Sequence, residues 1–204
     1  MLKLYFIRHG ETAWNVQKRM QGRLDSALTE KGEIDARLLG ERLNGTVFER
    51  IISSPSDRTI KTTNHVNKDG NTLIETDERL MEIDMGDWQG LRDDEIEKLY
   101  PEQFHAFWND PAAYKSVGGE SFFDVKKRLS EFLADLKRTT PRGNVLVVTH
   151  GVVIKVLYLL CRNAPIEELW NPPFIHGTSL TIIQVQDGEM EMLLEGCTEH
   201  CRYE

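Results

Sequence analysis

Two apolar runs of this chain end in the same way, in a histidine followed by a glycine. The run Leu2–Ile7 leads into Arg8–His9–Gly10, and the run Val145–Val148 leads into Thr149–His150–Gly151. Uninterrupted β-branched and leucine residues are typical of a strand that is buried on both faces of a parallel sheet. Ligands bind such sheets at the carboxyl ends of the strands. We therefore predict a site at this edge that contains both histidines.

Either histidine alone is more often a hydrogen-bonded core or edge residue than part of a site. The pair changes this balance, because both follow a strand and both precede glycine, which permits close backbone approach. A third short strand, Ile51–Ile52, ends in Ser53–Ser54–Pro55 and leads to Arg58 in the first turn of a predicted helix. Helix N-termini attract anions. These three strand ends together indicate an anion-binding site.

The remaining sequence alternates between strand and helix patterns. Further strands are predicted at about 72–74, 180–185 and 190–194, the last two joined by a hairpin turn at Asp187–Gly188. Helices are predicted from a Thr29 cap to about Leu43, from Ser56 or Asp57, over about 93–110, from a Ser121 cap and after Gly151. This order predicts one domain, residues 1–204, folded as a three-layer α/β/α sandwich with a mostly parallel central sheet.

Charge and hydropathy exclude several classes of partner. The net charge of −8 disfavours nonspecific binding to nucleic acid or to an anionic membrane. No apolar run approaches the roughly 20 residues of a membrane helix. The N-terminus lacks the pattern of a signal peptide, and three cysteines cannot form a closed disulfide framework. We therefore expect a cytoplasmic protein, monomer or homodimer, whose partner is a small molecule.

Cys197, His200 and Cys201 lie close together near the C-terminus. A zinc site usually recruits a second pair of ligands elsewhere in the chain, and no such pair is evident here. We therefore interpret these residues as part of a frayed polar tail and predict neither a metal nor a cofactor.

Four motifs together resemble the histidine phosphatases, also called the phosphoglycerate mutase-like superfamily. They are RHGET at 8–12, SSPSDRT at 53–59, the acidic residue of LMEIDMGDWQG at Glu82, and THG at 149–151. They occur in the family's order and span most of the chain. The stretches MQG, DSALTEKG, VTHGVVIKVL and NPPFIHGTSLTII are most similar to the bacterial broad-specificity phosphatases of this superfamily.

The resemblance implies that His9 is a nucleophile that forms a phosphohistidine. A neutral imidazole is a competent nucleophile at pH 7 without a separate base. Phosphoryl transfer without a metal needs positive charge around the equatorial oxygens, and arginine forks suit bidentate phosphate binding. Catalysis is therefore expected to involve His9, Glu82 and His150, which would add a third cation if it is protonated. The resemblance places the phosphate-binding residues at Arg8, Asn15, Gln21, Arg58 and Gly151.

Glu82 is implied as the general acid that protonates the leaving oxygen and later activates water. This assignment rests on the resemblance, since the residues alone leave four neighbouring acids open, namely Asp77, Glu78, Asp84 and Asp87.

The same chemistry serves a phosphatase or a phosphoglycerate mutase. Mutases of this family carry a lysine just after the acid and paired arginines in a longer insertion. Here the segment Met85–Gly90 has no lysine, and the insertion, about 91–119, contains Arg92, Lys98 and Lys115 as its only cations. Its aromatic residues are expected to form an apolar lid or ordinary helix core; they are Tyr100, Phe104, Phe107, Trp108 and Tyr114.

We therefore predict a phosphatase of small-molecule phosphate monoesters, with mutase as the alternative. A catalytically inactive relative that binds phosphorylated ligands is disfavoured, because His9 and Glu82 are both present.

Overall fold

The central sheet has six strands within residues 1–68, 70 and 72–201, which a computed structural model describes. The strands are β1 (Leu2–Arg8), β2 (Arg50–Ser53), β3 (Ile74–Thr76), β4 (Gly143–Thr149), β5 (Leu180–Gln186) and β6 (Glu189–Cys197). Their order is β3-β2-β4-β1-β5-β6. Strands β3, β2, β4 and β1 run parallel to one another, while β5 pairs antiparallel with β1 and forms an antiparallel hairpin with β6 at the edge.

The two strands that end in histidine and glycine lie side by side. In the register of β1 and β4, Arg8 pairs with Thr149. The His9 backbone N–H donates to the Thr149 carbonyl at 2.9 Å. The next residue of each strand, His9 or His150, therefore emerges at the same point of the carboxyl edge.

Helices cover both faces of the sheet. They are α1 (Ala13–Val16), α2 (Glu30–Arg42), α3 (Asp57–Val66), α4 (Asp93–Leu99), α5 (Pro101–Asn109), α6 (Phe122–Thr139) and α7 (Gly151–Arg162). Leu39 of α2 and Val66 of α3 pack in one core cluster with Ile7 and Val148. Helices α6 and α7 belong to the larger cluster on the opposite face, with Leu4. The predicted three-layer sandwich is confirmed.

Side-chain caps explain why two helices begin where the sequence predicts. Thr29 Oγ1 accepts from the Gly32 N–H at 3.0 Å and so caps α2. Ser121 and Asp124 form a reciprocal capping box at the start of α6. Each cap satisfies a backbone donor that a helix leaves unpaired at its first turn.

Two predicted elements differ in the structure. The helix expected over 93–110 is two helices that meet at Tyr100, because Pro101 lacks a backbone N–H and restricts the residue before it. The third strand is Ile74–Thr76 rather than 72–74, because its pairing with β2 sets Ile51 opposite Ile74.

The predicted frayed tail is also wrong as far as residue 201. Cys197 is the last residue of β6, and His200 and Cys201 are buried. His200 Nε2 lies 3.2 Å from Thr178 Oγ1, so the tail packs against the segment that precedes β5.

Neither a metal cluster nor a membrane helix is found in the described ranges. They contain no group of three or more His, Cys, Asp or Glu side chains arranged to hold a metal ion. Among the described helices, none combines the length and hydropathy that a membrane crossing requires.

Candidate active site

A cavity of about 410 Å³ lies at the carboxyl edge of the sheet. Eight site residues were predicted from the sequence, and seven of them line this cavity: Arg8, His9, Asn15, Gln21, Arg58, Glu82 and Gly151. His150 is fully buried beside them, with its ring centroid 5.3 Å from that of His9.

His9 is held as a neutral ring with one free nitrogen. Its Nδ1 lies 2.8 Å from the Gly10 carbonyl oxygen, which can only accept, so Nδ1 carries the proton. Burial holds the pKa of His9 well below its ordinary value, and the charges of Arg58 and Arg8 lower it further. Nε2 therefore keeps its lone pair at pH 7 and can act as a nucleophile.

The guanidinium groups of Arg58, which is buried, and of Arg8, which is half-buried, bring positive charge to the cavity. Arg8 Nη1 donates to the Ile175 carbonyl at 2.7 Å. Burial lowers the pKa of Arg8, Glu82 opposes this and Arg58 adds to it, but an arginine remains charged at neutral pH. The Nε–H groups of Arg8 and Arg58 are buried and have no hydrogen-bond partner among the described residues. Buried unpaired donors are rare, and two of them on one cavity indicate an anionic ligand.

His150 supports Arg58 and does not add a third cation. Arg58 Nη2 lies 3.1 Å from His150 Nδ1, which must accept because a guanidinium can only donate. Nε2 then carries the proton and donates to Ser54 Oγ at 2.8 Å. Burial holds the pKa of His150 well below its ordinary value, and Arg58 and His9 lower it further. His150, which would add a third cation only if protonated, is therefore a neutral ring here.

Glu82 and Gly151 face the same space as Arg8. The Glu82 carboxylate accepts from the Ile83 N–H at 3.0 Å and from the Val152 N–H, in the first turn of α7, at 3.3 Å. A Cβ atom on Gly151 would stand 3.6 Å from Arg8 Nε and 3.8 Å from Glu82 Oε2. Glycine at 151 thus leaves room for a ligand between the guanidinium and the carboxylate.

The four other candidate acids lie elsewhere. None of the four lines the cavity: Asp77, Glu78, Asp84 and Asp87. The first binds Arg79, and Asp84 accepts from the Gly86 N–H at 2.9 Å. Geometry therefore favours Glu82, which spacing alone did not.

Asn15 and Gln21 are tied to the protein through Thr12. The Asn15 carboxamide oxygen accepts from the Thr12 N–H and hydroxyl, which leaves its amide N–H groups for a ligand. Gln21 Nε2 donates to Thr12 Oγ1 at 2.9 Å, and its oxygen accepts from Ser26. One N–H of Gln21 remains for the cavity.

Gly10 also permits a close approach, but to the protein rather than to a ligand. A Cβ atom at this position would stand 2.7 Å from the Gly32 carbonyl oxygen of α2. The glycine after His9 therefore allows α2 to pack against the end of β1.

Asp25 is a site residue that the sequence did not reveal. Its carboxylate forms an ion pair of 2.6 Å with Arg58 Nη1, which also donates to the Leu24 carbonyl. The same carboxylate accepts from the Asp57 N–H at 3.0 Å, in the first turn of α3. Asp25 therefore caps α3 in place of Ser56, whose side chain makes no cap bond, and holds Arg58 in position. Because 33 residues separate Asp25 from Arg58, no local pattern could have identified the pair.

Asp25→Ala is expected to lower kcat/KM for a phosphate ester by about 10- to 100-fold, because misplacement of a charged group by about 1 Å has effects of that size. It should also lose about 1 kcal/mol of unfolding free energy with the cap. Asp25→Asn keeps an acceptor and should retain more of both. Steady-state kinetics and thermal unfolding measure the two effects.

Ser121→Ala is the matched control, because it removes the cap of α6 without touching Arg58. It should lose similar stability and keep its activity. Asp25→Ala activity within twofold of the wild type would contradict the role assigned to Asp25.

The outer wall of the cavity is largely apolar. It includes Met20, Met85, Phe107, Trp108, Trp170 and Phe174. Of the five aromatic residues expected to form a lid or core, Phe107 and Trp108 line the cavity. Tyr100, Phe104 and Tyr114 instead pack around the buried Trp88 ring.

The segment between α7 and β5 fixes the carboxyl end of β1 at the wall of the cavity. Besides the bond from Arg8 to Ile175, the Thr178 N–H donates to the carbonyls of Arg8 and His9. Thr178 adopts a φ of 56°, which is strained for a β-branched residue. Strained backbone is often found at functional sites, where the surrounding contacts hold it.

The chain matches known proteins along nearly its whole length. Residues 4–198 match the model of the histidine phosphatase superfamily (branch 1). Phosphoserine phosphatase 1 of Hydrogenobacter thermophilus is 33% identical over 171 residues, which is 84% of this chain and 81% of that protein. The probable phosphoglycerate mutase GpmB of Salmonella paratyphi A is 34% identical over 196 residues, or 96% and 90% of the two chains. The solved structure of Bacillus stearothermophilus YhfR matches with a TM-score of 0.96 at 42% identity, over 99% of this chain and 100% of that one.

Proposed function

The chain belongs to the histidine phosphatase superfamily (branch 1). From this premise we propose that it hydrolyses small-molecule phosphate monoesters with broad specificity. The reaction passes through a phosphohistidine on His9. The observation that carries the proposal is the neutral His9, whose Nδ1 is held by Gly10 and which shares the cavity with two arginines whose Nε–H donors are buried and unpaired. Such a site presents a nucleophile and neutralises the charge of a phosphate at the same place.

In the first step, His9 Nε2 attacks phosphorus and the bond from phosphorus to the ester oxygen breaks. Arg8 and Arg58 hold the equatorial oxygens, and Asn15 and Gln21 donate further hydrogen bonds to them. Gly151 has no side chain and so leaves space for the phosphate. Glu82 gives its proton to the leaving oxygen, so the alcohol departs neutral. His150 acts by holding Arg58, and through Ser54 it links that arginine to the end of β2.

In the second step, the Glu82 carboxylate takes a proton from water, and the water oxygen attacks phosphorus. The bond between His9 Nε2 and phosphorus breaks, which releases inorganic phosphate and restores the neutral ring. Glu82 ends protonated, as it began.

A phosphatase is favoured over a mutase by the wall that faces the leaving group. The cations of the 91–119 segment do not reach the cavity: Arg92 pairs with Asp94, and neither Lys98 nor Lys115 is among the lining residues. A second phosphate would therefore find no cation on this segment, whereas Phe107 and Trp108 suit an apolar alcohol. We propose that 91–119 is a lid within a single domain.

We further propose that the protein works in the cytoplasm on small molecules, without nucleic acid or membrane partners, as a monomer or homodimer. Its three cysteines are free, which suits a reducing compartment. The acidic net charge of −8 makes the attraction of a phosphate ester local to the two arginines.

Release of inorganic phosphate from para-nitrophenyl phosphate and a panel of phosphate esters tests the proposal. With 3-phosphoglycerate as substrate, a phosphatase yields glycerate and phosphate, whereas a mutase yields 2-phosphoglycerate. Formation of 2-phosphoglycerate without phosphate release would overturn the proposal.

Activity is expected to persist in EDTA, because Arg8 and Arg58 supply the positive charge that a metal would otherwise provide. Turnover of para-nitrophenyl phosphate should be unchanged after dialysis against the chelator and after later addition of magnesium. Complete loss in EDTA with recovery in magnesium would contradict metal-independent catalysis.

A further inference from the structure

Glu120 and Arg128 form a carboxylate–guanidinium fork beside the segment that carries Glu82. Arg128 Nε donates to Glu120 Oε1 and Arg128 Nη2 donates to Glu120 Oε2, both at 3.0 Å. The two side chains are only 18% and 13% exposed, so salt and solvent screen this pair less than an ion pair at the surface. A bidentate fork also fixes the relative orientation of its two groups. The pair therefore forms a well-defined anchor at the start of α6.

Both members of the fork also bind the backbone on either side of Glu82. Arg128 Nη1 donates to the Arg79 carbonyl at 2.7 Å, three residues before the acid. Glu120 Oε2 accepts from the Asp84 N–H at 3.0 Å, two residues after the acid, and the Glu120 N–H donates to the Asp84 carbonyl at 2.8 Å. One ion pair thus holds both ends of the segment that places the Glu82 carboxylate in the cavity.

Thr149 makes a separate contact with the same segment. Its Oγ1 donates to the Leu80 carbonyl at 2.7 Å, at the end of β4. This bond and the buried side chains of Leu80 and Ile83 keep the segment at the edge of the sheet when the fork is broken. Loss of the fork should therefore displace the Glu82 carboxyl group without unfolding the segment.

The fork has a second arm towards the loop that holds Arg58. Arg23 Nη2 lies 3.3 Å from Glu120 Oε1, and the Arg23 side chain is 39% exposed. Arg58 donates to the carbonyls of Gly22 and Leu24, the residues on either side of Arg23. Because this arm is longer and more exposed than the fork, we expect the acid segment to depend on Glu120 more than the arginine loop does.

We propose that Glu120 is a positioning residue, which together with Arg128 holds the Glu82 carboxyl group where it protonates the leaving oxygen. This inference rests on the proposed phosphatase function, with Glu82 as the general acid. Glu120 acts through the backbone at Asp84, since it is not among the described residues that line the cavity.

Glu120→Gln tests the proposal, because it keeps the shape of the side chain but replaces one carboxylate oxygen by an amino group that cannot accept a hydrogen bond. A displaced acid matters for propyl phosphate, whose alkoxide needs a proton to depart, and matters little for para-nitrophenyl phosphate. Phosphoenzyme formation from propyl phosphate should slow by about 10- to 100-fold, the effect of a displacement of about 1 Å. The same step with para-nitrophenyl phosphate should slow much less. Single-turnover labelling measures both rates, and equal slowing of the two esters would overturn the proposal.

Two control variants separate this role from general effects of charge and stability. Glu75→Gln breaks a fork of the same kind, in which Arg50 donates to Glu75 at 2.8 and 2.6 Å. Neither of these residues belongs to the cavity lining that the structure describes. Arg23→Met removes only the second arm. Both controls should keep the wild-type ratio of the two rates, and a change in either as large as that of Glu120→Gln would overturn the proposal.

Arg128→Lys decides where Glu120→Gln does not fold, because lysine keeps the positive charge but cannot form the fork. It should slow propyl phosphate more than para-nitrophenyl phosphate, and equal slowing would again overturn the proposal. Failure of the phosphatase function has a different result, since the wild type would then form no phosphoenzyme and release no phosphate from either ester.

Discussion

His9→Ala is expected to lower turnover by more than about 10⁴-fold and to abolish phosphoenzyme labelling, because it removes the nucleophile. Nε2 is the nitrogen of His9 that its bond to Gly10 leaves free, whereas the neighbouring His150 uses both of its nitrogens in hydrogen bonds. In wild-type protein quenched during turnover, the label should be lost in acid and stable in alkali, as a phosphoramidate is. Rapid-quench labelling and steady-state kinetics measure both effects.

His9→Asn is the matched variant, because the side chain is buried and hydrogen-bonded. The asparagine amide can replace Nδ1–H as the donor to Gly10 but offers no nucleophile. Both variants should therefore be inactive, while the asparagine variant keeps more of the wild-type unfolding free energy. An alkali-labile acyl phosphate in the wild type, or a label that survives in His9→Asn, would move the nucleophile to another residue.

The part of the site that was predictable from sequence is the part that strand ends fix. Two apolar runs followed by His–Gly predicted two strands whose carboxyl ends contribute to one site, and the register of β1 and β4 places His9 beside the end of β4. Side-chain caps at Thr29 and Ser121 likewise predicted helix starts, because a cap depends on residues only three positions apart.

The rest depends on contacts between distant residues. Asp25 reaches Arg58 across 33 residues, and Glu120 reaches the Asp84 N–H across 36. The neutrality of His150 follows from its bond to Arg58, 92 residues away, and from complete burial. None of these relations has a sequence period, so they become visible only when the chain is folded.

The choice of Glu82 as the general acid depends on both the sequence and the fold. Five acidic residues lie between 77 and 87, and their spacing treats them alike. In the fold, Glu82 lines the cavity and takes two backbone hydrogen bonds that aim it at the space beside Gly151. The resemblance and the geometry therefore favour the same residue for independent reasons.

Glu82→Gln is expected to slow phosphoenzyme formation from alkyl phosphates by about 10²- to 10⁴-fold, the usual contribution of general acid catalysis. An alkoxide is strongly basic and cannot depart without a proton, whereas a nitrophenolate can. The same variant should therefore slow para-nitrophenyl phosphate much less in this step. Single-turnover labelling is the measurement, because the same carboxylate also activates water in the second step and would mask the contrast at steady state.

Asp84→Asn and Asp87→Asn are the controls for this contrast. Asp84 bonds to the Gly86 N–H and lies 3.8 Å from Arg23, while Asp87 is exposed, and neither lines the cavity. Neither control should show a dependence on the leaving group. If Glu82→Gln slowed both ester types equally while an aspartate variant showed the contrast, the proton would come from that aspartate. The nucleophile and the two arginines would stand, because their positions do not depend on which carboxyl group protonates the leaving oxygen.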